Sequence, residues 1–296
     1  MSQLHIKELA SGFGAEVDGV DLSHGEVDEE TRRLLREAFD HHGALLFRGL
    51  DLDRLAQVYL SELVMSDSAV PMEQAAQDAA KQNSFWISNR EPGAAAPFGR
   101  LMFHCDMMWS ETPFQVLSLY AVDVQPPVVP TAFASAARAW ETLPQDLRAR
   151  VAGLDALHVT GPEGFDPRRR GTEDGELVNP VREQILSVTK PVGNLHPRTG
   201  RTLLYVSQGM TKEIVGLPHE ESEDLLEALF EHLYRPENIW QHEWRNGDLI
   251  IWDNLAVQHA RANVRDNGPA RTLRKAGCPI PSKSAETQVR NYQPIA

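Results

Sequence analysis

Cysteine is nearly absent from this sequence: its 296 residues include two, Cys105 and Cys278. Two thiols are too few for a disulfide framework or a cysteine-built zinc site. Long apolar runs are missing too. Nothing approaches the ~18 consecutive apolar residues of a membrane-spanning helix, and the opening MSQLHIKELASGFG lacks the apolar centre of a secretory signal. Positive charge is in deficit, with 29 Lys and Arg against 42 Asp and Glu and a formal net charge of −13. Such a field repels a phosphate backbone and argues against nucleic acid as a partner. It leaves room for a small anion in one cationic pocket. No internal repeat, low-complexity segment or glycine-rich phosphate loop is found. The rest is ordinary, since 42% hydrophobic and 24% charged residues suit a chain with a substantial core. These absences predict a soluble, cytoplasmic protein acting on a small molecule.

What is present is a succession of short apolar segments with a few helices. Residues 4–22 read as short strands and turns punctuated by Gly12, Gly14 and Gly19. The segment 27–42 begins acidic and then places Leu34, Leu35, Ala38 and Phe39 at helical spacing. GALLFRG at 43–49 reads as a buried strand, and 52–64 as a second helix. SFWISN, VLSLYAVDV (116–124), ILSVTK, TLLYVS and GDLIIWDN follow as strands, with a last strand near 271–280. Residues 133–152 read as helix interrupted near Pro144, and 219–234 as another. The stretch 161–183 is polar and rich in Gly, Pro and charge, the composition of a lid or excursion. Its run Arg168–Arg169–Arg170 reads as a solvated cluster. Many strands with peripheral helices predict a mainly β (α+β) fold, for which a double-sheet jelly roll fits. The whole of 1–296 is expected to form one catalytic domain.

The chemistry centres on FHCDMMW at 103–109. In an extended strand, residues two apart project from one face, so His104 and Asp106 can converge while Cys105 turns away. Of the 11 histidines, His259 is the best third ligand, because it follows the apolar strand in IIWDNLAVQHAR. Asp253 and Asn254, just ahead of it, read as turn formers. Two imidazoles and one carboxylate that leave half an octahedron open make the facial triad of non-haem iron(II) oxygenases. Further along lies Arg271, whose planar fork suits the far carboxylate of a 2-oxo diacid chelating the metal. Arg261, Arg265 and Arg274 are competitors for that role.

With these residues in view, the chain resembles the taurine dioxygenase / 2,4-dichlorophenoxyacetate dioxygenase family. The likeness runs through GFGAEVDGVDL, HHGALLFRG, HCDMMWSETP, LHPRTGRTLLYVSQGM, GDLIIWDN, and QHAR followed by RTLRKA. It implies a double-stranded β-helix (jelly-roll) core with iron(II) on His104, Asp106 and His259. It further implies 2-oxoglutarate and dioxygen as co-substrates, hydroxylation with release of succinate and carbon dioxide, and a homodimer or homotetramer. Arg271 would pair with the distal carboxylate of 2-oxoglutarate, and Thr131, in VVPTAFAS, would add a hydroxyl.

The sequence also departs from the family. Pro-Val-Val-Pro precedes Thr131 where a glycine-rich turn is usual. Lys275 stands where taurine-type members carry the arginine that holds a sulfonate, keeping the charge but losing the fork. Arg100 replaces a polar amide, and no sulfonate-binding histidine is evident around 65–80. Taurine is therefore not the expected substrate. Lys275 and Arg100 are candidates for an anionic or amino-acid-like substrate, with Met210, Met102 and Met108 as apolar lining. The retained Asp106 favours hydroxylation over halogenation. Desaturation, cyclisation, or a cupin-like hydrolase or isomerase using another divalent ion remain the alternatives.

Overall fold

In the computed structural model, residues 4–22, 25–65, 84–160, 169, 174–178 and 185–278 are described, and they form sixteen strands and five α-helices. The strands are β1 (His5–Glu8), β2 (Ala15–Asp18), β3 (Ala44–Phe47), β4 (Ser84–Ser88), β5 (Gly99–His104), β6 (Val116–Val124), β7 (Thr131–Ser135) and β8 (Asp155–Val159). They continue with β9 (Ser187–Pro191), β10 (Gly193–Leu195), β11 (Thr202–Leu204), β12 (Thr211–Ile214), β13 (Ile239–His242), β14 (Leu249–Asp253), β15 (Val257–Val264) and β16 (Arg271–Cys278). The helices are α1 (Glu29–His42), α2 (Arg54–Leu63), α3 (Ala136–Glu141), α4 (Gln145–Val151) and α5 (His219–Leu233).

Two sheets dominate. One has seven strands in the order β1-β2-β3-β14-β6-β16-β4, and the other has four in the order β13-β7-β15-β5. Side chains from both sheets meet in one core: Leu117, Ile250, Trp252 and Leu273 from the larger, Phe133 and Val257 from the smaller. A second core lies on the other side of the large sheet, where Leu35, Phe39, Tyr59 and Leu63 of α1 and α2 cover Leu45, Phe47 and Ile251. β14 is buried on both faces, which is why LIIW reads as an apolar run up to Asp253. At roughly 25 cal/mol per Å² of apolar surface, each fully buried Leu, Ile or Phe contributes about 2 kcal/mol before entropy is counted.

Local chemistry sets the helix ends. Asp28 accepts a bond from Thr31 N at 2.7 Å to start α1, and Gly43 ends it at φ 74° with its N–H on Phe39 O. Asp53 caps α2 through Ala56 N at 2.8 Å. The helix expected from residue 133 starts later in the structure. Phe133–Ser135, read as the start of a helix, lie in β7, paired by β13 on one side and β15 on the other. Helix begins only at Ala136, after the Ser135 side chain caps Arg138 N.

Most of the expected excursion at 161–183 lies outside the described residues, as do Arg168 and Arg170 and the region 66–83. Arg169 is described, and it corrects the solvated-cluster reading. The residue is 4% exposed, and its guanidinium donates from Nε to Glu223 Oε2 at 2.8 Å and also meets Thr211 O and Lys212 O. A buried ion pair with added carbonyl acceptors is the arrangement that offsets desolvation. Residues 174–178 run along the free edge of β5, with Arg100 N on Glu176 O and Val178 N on Arg100 O, both at 2.9 Å.

Candidate active site

β5 and β15 are antiparallel neighbours, and their register sets His104 directly opposite His259. The two rings lie 4.2 Å apart, tilted by 40°. Asp106 Oδ1 is 3.3 Å from His104 Nε2 and 3.6 Å from His259 Nε2. All three candidate ligand atoms fall within 4.8 Å of one another, the only such group among the described residues. Neighbouring ligands on a metal with bonds of about 2.1 Å sit roughly 3 Å apart, so the set fits one cation.

His104 and Asp106 converge for a reason other than strand alternation. β5 ends at His104, and Asp106 belongs to the turn that follows, where Met107 takes φ 60°. A left-handed methionine costs on the order of 1 kcal/mol and persists only where surroundings enforce it. His259, in turn, lies within β15 rather than past a strand end.

The protonation states suit metal binding. His104 Nδ1 is 2.8 Å from Met102 O. A carbonyl only accepts, so Nδ1 is the donor there and Nε2 is the nitrogen turned toward Asp106. Burial, then His104, holds the His259 imidazole well below its usual range and therefore neutral. For Asp106 burial pushes upward, but Lys275, His104 and His259 together hold the carboxyl well below the usual carboxylate range.

A second cluster forms around Arg271. Its Nη2 donates to Thr131 Oγ1 at 3.0 Å and its Nε to Val129 O at 3.0 Å. Trp244 Nε1 also donates to Thr131 Oγ1, at 2.9 Å. With two donors filling its lone pairs, the Thr131 hydroxyl has its own proton left to give. Burial, then Arg261, pushes the Arg271 guanidinium well below its ordinary value. The competing arginines go elsewhere. Arg261 binds the carbonyls of Ala96, Phe98 and Gly99, Arg265 pairs with Asp174, and Arg274 binds Gln57, Leu52 O and Asp53 O beneath α2.

The family described as taurine catabolism dioxygenase TauD, TfdA matches residues 5–276. The chain belongs to this family. It is 28% identical over 267 residues to an alkylsulfatase of Acinetobacter baylyi, covering 88% of this chain and 80% of that one. It is 27% identical over 276 residues to the alpha-ketoglutarate-dependent 2,4-dichlorophenoxyacetate dioxygenase of Cupriavidus pinatubonensis, covering 89% and 93%. A taurine dioxygenase structure from Burkholderia xenovorans superposes with a TM-score of 0.71 at 27% identity, covering 94% of this chain and 92% of that one. The fold is thus the jelly roll of the TauD-type dioxygenases. The protein is an iron(II)- and 2-oxoglutarate-dependent dioxygenase of that family, with dioxygen as the other co-substrate.

Within the TauD/TfdA frame, the expected substrate residues are placed unevenly. Lys275 projects between the sheets like Arg271 and Leu273, but its ammonium donates to Asp106 Oδ2 and lies 5.6 Å from the Phe85 ring centroid. Arg100 is 6% exposed, and its Nε donates to Gly175 O at 3.1 Å, which ties it to the 174–178 segment. Met210 packs, partly buried, against the core that holds Met108 and Trp109.

Three positions near the site escaped the sequence reading. Ser207 Oγ and Gly209 N both bond Phe103 O, at 2.8 and 3.0 Å, clamping β5 one residue before His104. A Cβ on Gly209 would stand 3.1 Å from that oxygen, so glycine allows the close approach. Asn254, read only as a turn former, holds Asp106 through its main chain: Asp106 N reaches Asn254 Oδ1 and Asn254 Nδ2 reaches Asp106 O, both at 2.9 Å. A motif scan sees turn chemistry in Asp-Asn; the partner 148 positions away is invisible to it.

Proposed function

We propose that this dioxygenase hydroxylates a C–H bond of a small anionic or amino-acid-like molecule, converting 2-oxoglutarate and dioxygen to succinate and carbon dioxide as it does so. The observation that carries this reading is the pairing of two clusters. One is a 2-His-1-carboxylate set with ligand atoms within 4.8 Å. The other is a buried Arg271 whose side-chain bonds reach neutral oxygens on Val129 and Thr131.

His104, Asp106 and His259 would hold iron(II), which when bound supplies the dioxygen activation that oxidises both 2-oxoglutarate and substrate. Arg271 and the Thr131 hydroxyl would take the distal carboxylate of 2-oxoglutarate by charge-assisted bonds. Lys275 is the buried cation beside the triad whose partner is a site carboxylate, so it is the group for which an anionic substrate would compete. Arg100 and Met210 would shape the pocket from β5 and from the turn before β12. The relative named for 2,4-dichlorophenoxyacetate, an aryloxy carboxylate, supports an anionic substrate class.

His104 and His259 come from the small sheet and Asp106 from the turn that leaves it, while Arg271 and Lys275 come from the large sheet, which supports one catalytic unit across the chain. The formal charge of −13 argues against a nucleic-acid partner, and no helix among the described residues is long and apolar enough to cross a membrane. A cytoplasmic location is carried over from the sequence composition, and a homodimer or homotetramer from the family resemblance alone. The test is succinate release with iron(II), ascorbate and 2-oxoglutarate across a panel of small organic acids and amines. The expected result is slow basal release, accelerated by one class of acid, with a hydroxylated product by mass. A product two mass units lighter than its substrate would replace hydroxylation by desaturation or cyclisation. Turnover indifferent to 2-oxoglutarate and dioxygen would point to a hydrolase or isomerase on this scaffold.

A further inference from the structure

Asp106 stands in a turn rather than in a strand, next to a left-handed Met107, so something beyond strand pairing must hold it. Asn254 does so with one side-chain amide. Its Oδ1 accepts Asp106 N, and its Nδ2 donates both to Asp106 O and to Phe114 O, each at 2.9 Å, at a residue with no exposed surface. The amide thereby replaces the strand partner that the turn lacks.

Asn254 is itself fixed. It lies in the turn between β14 and β15, five residues before His259. The preceding Asp253 accepts Leu255 N at 3.0 Å and Ala256 N at 3.2 Å through Oδ1. Its Oδ2 lies 2.9 Å from His196 Nε2 and 2.6 Å from Arg198 Nη2. His196 Nδ1 accepts from Arg198 N and Thr199 N, so the proton of that imidazole is on the nitrogen facing Asp253. Asn254 N bonds Gln115 O at 2.9 Å. The turn is therefore gripped on one side by Arg198, with His196 beside it, and grips Asp106 on the other.

We propose that Asn254 is a positioning residue of the metal site, a bracket that ties the Asp106 turn to the strand carrying His259 and so sets the spacing of carboxylate and imidazole. This rests on reading His104, Asp106 and His259 as metal ligands. Its chemistry is orientation alone: a neutral amide adds no charge to the site, so its loss acts through the position of Asp106.

The test uses Mn(II) as the probe, titrated anaerobically without 2-oxoglutarate and followed by loss of the free-ion electron paramagnetic resonance signal. Asn254→Ala is expected to weaken Mn(II) binding about 10- to 100-fold, the usual effect of losing a group that orients a ligand. Asn254→Asp keeps the shape and the acceptor for Asp106 N but sets an oxygen against two carbonyls, and is expected to weaken it as well; it carries the test if the alanine variant does not fold. Leu35→Ala, a core deletion in α1, is the stability control and is expected to bind like the parent. Folded Asn254 variants that bind Mn(II) within twofold of the parent would overturn the proposal while leaving the metal reading intact, provided His104→Ala has lost binding. A parent that binds no better than His104→Ala overturns both.

Discussion

Arg271 and Lys275 lie four residues apart on β16, are both buried between the sheets, and differ in what they touch. Lys275 meets a carboxylate, Asp106. Arg271 meets the neutral oxygens of Val129 and Thr131. A buried cation facing only neutral acceptors keeps much of its desolvation penalty, so the Arg271 end gains most from an arriving anion. The Lys275 end is balanced until something else takes the charge of Asp106. Under the proposed function, β16 thus offers a socket for a dianionic co-substrate at Arg271 and, four residues further along the strand, a cation engaged with the candidate metal carboxylate.

The sharpest way to break this contrast is to remove the carboxylate. Asp106→Ala is expected to abolish succinate formation altogether, and a variant that turns over 2-oxoglutarate like the parent would undo the assignment. Next in size is Arg271→Met. Losing a charge-assisted pair worth roughly 2–3 kcal/mol should raise the 2-oxoglutarate dissociation constant about 30- to 150-fold, with Mn(II) affinity unchanged. The same variant, without ligand, should melt no lower than the parent, because an unbalanced buried charge has gone. A melting point several degrees lower would mean that Arg271 is structural first. Thr131→Val should raise the 2-oxoglutarate constant about tenfold, in line with one hydroxyl bond of about 1 kcal/mol or slightly more. Smallest for the co-substrate is Lys275→Met: 2-oxoglutarate affinity should stay within about threefold, while the KM of an anionic substrate rises by an order of magnitude.

How much of this could be read in the sequence depended on the range of the interactions. VLSLYAVDV occupies 116–124 as expected because its first six residues are covered on both faces and mostly apolar. The helix read over 27–42 forms as Glu29–His42, because its ends are set by local chemistry at Asp28 and Gly43. FASAARAW misled, since alanine favours helix intrinsically, yet pairing by β13 and β15 on both sides keeps its first residues extended. The three residues that come together were legible by type; the cause of their convergence was not, since Asp106 lies in a turn and not on the strand face that the spacing suggested. That cause lies in Asn254, Phe103 O and the β5–β15 register, all contacts between segments remote in the chain. Arg169 follows the same pattern, since three arginines in a row signal solvent until Glu223, on α5, supplies the partner.

The central claim is that one cation joins His104, Asp106 and His259 within reach of a 2-oxoglutarate anchored by Arg271. Its most direct measurement is an anaerobic titration of the purified protein with iron(II) and 2-oxoglutarate, watched for the weak visible charge-transfer band of a metal-chelated 2-oxo acid. The parent should develop the band at equimolar iron, Arg271→Met should need far more 2-oxoglutarate to reach it, and His104→Ala should not develop it. A band of equal strength and equal 2-oxoglutarate dependence in all three would contradict the account.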